Sequence, residues 1–206
     1  MLRLVVFVAA LAAAAAAWFV LRPAEDARLA ACGGGSTMGG GAIGGAFALE
    51  APDGSTVTDA DLFDRLTLVY FGYTLCPDFC PLDAAIMADA VDLLAERGIA
   101  ARAVFVTIDP ERDTPERLGA FAAFFHPEML ALGGAPEQVA QAARAFRVYH
   151  ARVDDDPEFY LMDHSTFTYL VAPGGAFLDF FRHGTAPEVI ADRVACFAAA
   201  LDAPAI

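Results

Sequence analysis

Cys76 and Cys80 stand three residues apart in the stretch YFGYTLCPDFCP, residues 70 to 81, each followed by a proline. A pair at this spacing admits three chemistries: a structural disulfide, a redox couple, or half of a metal site. The common thiol redox motif has two residues between its cysteines, not three. If the segment is helical, an i, i+4 pair projects both sulfurs to one side, about 5 to 6 Å apart at Cβ. The sulfurs then converge on a third body. Thiolates select soft ions such as Cu(I) or Zn(II), and three ligands satisfy Cu(I), so a histidine is the partner to seek.

The chain has four histidines. His126, in FHPE, reads as a helix-end residue, and His150 and His183, beside Arg152 and Arg182, read as structural. His164 differs, because Asp163-His164-Ser165-Thr166 stands immediately before the apolar run FTYLV. In a thioredoxin-like sheet the loop before that strand lies opposite the cysteine loop. Cys76, Cys80 and His164 are therefore the candidate donors.

The elements that must hold them are legible. FALEAPDGSTVT alternates apolar positions around Asp53-Gly54, a hairpin. Residues 67–71 (TLVYF) and 103–108 (AVFVTI) are continuous apolar runs, the kind buried on both faces of a central sheet. Between them, residues 81–97 have helical periodicity, with Leu82, Ala85, Ile86, Ala90, Leu93 and Leu94 along one side and Gly98 beyond the end. The cysteines thus lie where a strand hands over to a helix, and free N–H groups there lower the pKa of Cys76. Thr114-Pro115-Glu116 starts a helix running to about 125, with Asp113 and Glu116 as helix-start residues. A helix over 136–146, a hairpin of 167–171 and 176–181 around Pro173-Gly174-Gly175, and a helix over 187–201 complete an α/β order with a three-layer core.

The chain has 206 residues and a net charge of −14, with 13 Lys and Arg. That balance argues against nucleic-acid binding, which needs clustered cations. Leu4 to Leu21 are eighteen uncharged, almost wholly apolar positions. As a helix they cover about 27 Å, enough for a hydrocarbon core of roughly 30 Å. We read 1–22 as a retained membrane anchor rather than a cleaved signal, with the terminus inside and the domain outside. Residues 23–45 read as a glycine-rich linker able to hold the domain roughly 25 to 30 Å from the membrane. Residues 46–206 are the folded domain. Cys32 reads as a free thiol or, less readily, a lipid-bearing terminus, and Cys196 as packing in the last helix.

These motifs resemble the Sco/SenC family of membrane-anchored, thioredoxin-fold copper proteins. VYFGYT followed by CPDFCP matches the family's cysteine motif, TIDPERDTPE (residues 107–116) its second signature, and Asp163-His164-Ser165 its histidine motif. The similarity runs from about Gly44 to Leu201. It implies a thioredoxin-like three-layer sandwich with a central mixed sheet, and one copper ion, Cu(I) or Cu(II), bound by Cys76, Cys80 and His164. It further implies a metallochaperone rather than an enzyme, delivering copper to the binuclear centre in cytochrome c oxidase subunit II. An upstream copper donor and a thiol reductant are the other partners, and the bacterial cytoplasmic membrane, periplasmic side, is the location. Asp163, beside the histidine, is a candidate to orient its ring. The rival reading makes Cys76 and Cys80 a catalytic redox pair that keeps the oxidase's copper-ligand cysteines reduced.

Overall fold

The computed structural model describes residues 27–33, 43–153, 156 and 159–201. The expected anchor, 1–22, and most of the linker lie outside them. Among the described residues no helix is long and apolar enough to cross a membrane.

A short helical segment, α1 (residues 27–32), precedes a two-stranded hairpin, β1 (Ala48–Glu50) and β2 (Thr56–Thr58), as the alternation around Gly54 required. The capping box of Thr58 and Asp61 then starts the short α2 (Asp59–Leu62). The centre is a five-stranded mixed sheet in the order β5-β4-β3-β8-β9. β3 (Leu66–Gly72) is buried along its whole length. It runs parallel to β4 (Ala101–Thr107) and antiparallel to β8 (Phe167–Val171). The edges are β5 (Leu130–Leu132) and β9 (Phe177–Arg182). β5 was not anticipated, since three residues carry too little periodicity to be read.

Alternation along β3 sends Tyr70 to one face and Phe71 to the other. Tyr70 stacks with Phe105 of β4, which meets Phe121 of α4 (Pro115–Phe125). On this face α3 (Phe79–Glu96) and α6 (Pro187–Ala200) also pack together. Phe71 instead meets Phe146, at the end of α5 (Pro136–Ala145), and Tyr169. Three layers result, a mixed α/β thioredoxin-like fold.

Of the stripe expected for α3, Ala90 and Leu94 are buried and Ile86 and Leu93 pack against the core, but Leu82 is exposed, and Cys80, Ala84, Met87 and Val91 supply the rest of the inward face. Leu82 is exposed because Cys80 and Asp83 take the inward positions of the first turn. Buried Asp83 accepts from the backbone N–H of Gly184 and pairs with His183, which ties the start of α3 to the loop before α6.

A second two-stranded ribbon stands apart from the sheet: β6 (His150–Arg152) and β7 (Met162–His164), with His150 opposite His164. His164 therefore ends a strand; it does not sit in a loop.

Cys32 and Cys196 correct their expected roles, for they form a disulfide across 164 residues of sequence. Cys196 lies on the exposed face of α6. Periodicity could not disclose a partner so distant in the chain. Because Cys32 is fixed to α6 and Ile43 is buried in the core, both ends of the glycine-rich segment are held on the domain.

Candidate metal centre

The centre begins at the end of β3. Gly72 is there because a Cβ at that position would lie 2.7 Å from Cys80 Sγ and 2.9 Å from the Tyr70 ring. Only a residue without a side chain lets the helix come so near the strand. The chain then turns through Thr74 and Cys76, whose N–H donates to the Tyr73 carbonyl. Cys76 is in this turn and Cys80 in the first turn of α3, so the i, i+4 helical pairing expected for them does not apply.

The sulfurs converge by another route. Asp78, at the N-cap, makes no side-chain cap, and the Cys80 N–H donates instead to Cys76 Sγ at 3.4 Å. A sulfur thus accepts one of the donors that a helix start leaves unpaired. The Cys80 thiol, His164 and the helix-start amides together pull Cys76 down to about 3. Cys80 is fully buried, and burial pushes its thiol up, with the neighbouring Cys76 charge adding to it. One half-exposed thiolate beside one buried thiol is the resulting state.

His164 reaches them from the ribbon. Its Nδ1 lies 3.0 Å from the Ser165 carbonyl, which can only accept, so Nδ1 carries the proton. Nε2 faces the cysteines, 3.6 Å from Cys80 Sγ. The rings of Tyr70 and Tyr73 meet the imidazole edge-on at 6.0 and 6.1 Å. Asp163, expected to orient the ring, is exposed and projects from the other side of the ribbon. The Ser165 carbonyl holds the ring in its place.

The three donors lie within 4.8 Å of one another. Trigonal coordination with bonds of about 2.3 Å to sulfur and 2.0 Å to nitrogen separates sulfur from nitrogen by about 3.7 Å. The Cys80–His164 distance matches that separation. Two sulfurs and an imidazole, with no fourth His, Cys, Asp or Glu joining the group among the described residues, suit Cu(I) better than a tetrahedral zinc site.

A family model described as SCO1/SenC matches residues 35–199. The chain belongs to the SCO1/SenC family. It is 46% identical over 184 residues to Protein SenC of Rhodobacter capsulatus, covering 89% of this chain and 83% of that protein. Among solved structures it resembles Arabidopsis thaliana ScoI with copper bound: 38% identity, TM-score 0.71, 74% of this chain and 96% of that one. Bradyrhizobium japonicum ScoI with copper bound is similar at 35% identity and TM-score 0.68, covering 75% and 99%. The SCO1/SenC signature around Asp113 does more than start a helix. Thr114 is the cap, while Asp113 is buried and accepts from the Thr74 N–H, the Thr74 hydroxyl and the Thr107 hydroxyl. Burial raises its pKa, and the two threonines oppose that rise. It braces the cysteine turn, a role the sequence signalled only by placing an acid before the true cap.

A cavity of about 340 Å³ opens beside the centre, lined by Tyr73, Cys76, Phe79, Leu161, Met162 and His164. Phe79 and Leu161 are about half exposed there. A partner can thus reach Cys76 and His164 without unfolding the domain.

Proposed function

We propose that this chain binds one copper ion through Cys76, Cys80 and His164 and passes it to the binuclear copper centre of cytochrome c oxidase subunit II. It works as a membrane-anchored metallochaperone on the periplasmic side of the bacterial cytoplasmic membrane. The observation that carries the reading is the convergence of the Cys76 and Cys80 sulfurs and a His164 ring nitrogen within 4.8 Å of one another. The copper-bound relatives support it, as do the apolar run of residues 4–21 for the anchor and the Cys32–Cys196 disulfide for an oxidising compartment.

The chain's own residues supply the steps. Reduction of a Cys76–Cys80 disulfide by an external dithiol places two electrons on the sulfurs and oxidises that donor. Loading copper releases the Cys80 proton, while Cys76 enters already ionised. His164 closes the third side, and its withdrawal on the ribbon opens the ion to an incoming thiolate.

The asymmetry of the cysteines favours a second reading, a thiol-disulfide reductant. Cys76 thiolate attacks a partner disulfide and forms a mixed disulfide, and the partner's first sulfur leaves as a thiolate. Cys80 then gives up its proton and attacks Cys76, which closes the pair and releases the partner reduced. His164→Ala separates the two readings. It should weaken copper binding by about a hundredfold or more and leave disulfide exchange near the wild-type rate. Normal oxidase assembly by that variant at low copper would favour the reductant.

A further inference from the structure

His164 rides on a two-stranded ribbon outside the main sheet, and an isolated hairpin is marginally stable in water. Something must seat it, and Tyr160, two residues before β7, is placed to do so. Its hydroxyl donates to Asp109 Oδ1 at 2.6 Å, and Asp109 is buried. Arg112 donates through Nε to Asp109 Oδ2 at 2.6 Å and through Nη1 to the Tyr160 carbonyl at 2.9 Å. The Arg112 guanidinium stands 3.4 Å from the Tyr160 ring centre and that of Arg152, on β6, 3.7 Å from it. Two guanidiniums so close to one ring centre cannot share a face, so the ring is gripped between them. Arg152 also donates to the Asp156 carbonyl, and the Val153 N–H donates to the Leu161 carbonyl. The grip therefore joins both strands of the ribbon to the loop after β4.

We propose that Tyr160, held between Arg112 and Arg152 and bonded to Asp109, is the positioning residue that keeps His164 against the cysteines, and that its release is the step that frees the ion. The inference rests on the copper reading for its consequence, though the seating is a property of the copper-free chain. Tyr160 touches no ligand atom; it acts through the ribbon. Met162 adds a weaker tie, its N–H donating to the Tyr73 hydroxyl at 3.4 Å, which leaves the phenol latch as the stronger hold.

The test compares wild type, Tyr160→Leu and Arg152→Met in the full chain, reduced. Without copper, amide hydrogen exchange at Val153 and Ser165 should speed up about tenfold or more in Tyr160→Leu, while Val104 and Phe105 in β4 keep wild-type protection. With Cu(I) and a competing chelator, its affinity should fall about ten- to a hundredfold, and X-ray absorption should lose the histidine nitrogen and keep two sulfurs. Unchanged ribbon exchange in Tyr160→Leu would overturn the proposal. If that variant loses protection in β4 as well, Arg152→Met decides, since Arg152 is exposed and its loss leaves the core intact. It should speed Ser165 exchange about threefold, and no change there would overturn the latch. Faster ribbon exchange in a chain whose wild type binds no Cu(I) would uphold the seating and sink the copper reading instead.

Discussion

Asp113 and Thr74 are joined by two hydrogen bonds, from the threonine hydroxyl at 2.5 Å and from its backbone N–H at 3.1 Å. These two residues, 39 apart in sequence, connect the loop after β4 to the turn that carries Cys76. The turn that carries Cys76 is thereby tied to a buried carboxylate.

Asp113→Ala should cost about 2 to 4 kcal/mol, since it leaves the Thr74 amide and two hydroxyls without their acceptor. The loss should appear as a lower denaturation midpoint with an unchanged urea slope. Because burial raises the Asp113 pKa, the folded state holds its proton more tightly than the unfolded chain. Its titration thus adds stability below about pH 4, lost as pH rises through the folded value. The cost of the substitution should accordingly shrink from pH 3 to pH 7.

Cys76 should alkylate at a rate almost independent of pH between about 5 and 8 in the reduced protein, because a thiol at about 3 is ionised across that range. An ordinary thiol near 8.5 would slow about tenfold for each pH unit below its pKa. Peptide mapping should find the label on Cys76 and not on buried Cys80. A tenfold fall per unit at Cys76 would show that the helix start and its neighbours do not hold a thiolate.

Cys196→Ser should lower stability by about 2 to 4 kcal/mol, the usual worth of a disulfide closing a long loop. For a domain of this size that is a fall of about 5 to 15 °C in Tm. Copper affinity of the reduced centre should be unchanged, since the disulfide is made by the C-terminal half of α6, while Cys80 belongs to the first turn of α3. If the variant melts with wild type, the bond is absent from the protein in solution.

Much of this was legible because local pattern and structure agreed. TLVYF could be read as a fully buried strand, Thr114-Pro115 as a capped helix start, and Gly98 as a helix end at φ 72°. The approach of His164 to the cysteines followed from its place before FTYLV. What stayed hidden has a common cause: contacts between residues far apart in the chain that leave no local period. Cys32 gives no sign of Cys196, Asp113 none of Thr74, and Tyr160 none of Arg112. The first turn of α3 departs from its apolar pattern at Leu82 because Asp83, a charged residue, takes the buried position. Its partners His183 and Gly184 come from 100 residues away.

Copper titration of the reduced full chain, followed by X-ray absorption on the loaded protein, tests the central claim most directly. One equivalent of copper with two sulfur neighbours and one imidazole nitrogen is the expected result. A site that takes up copper with sulfur alone, or no tightly held copper at all, would contradict it.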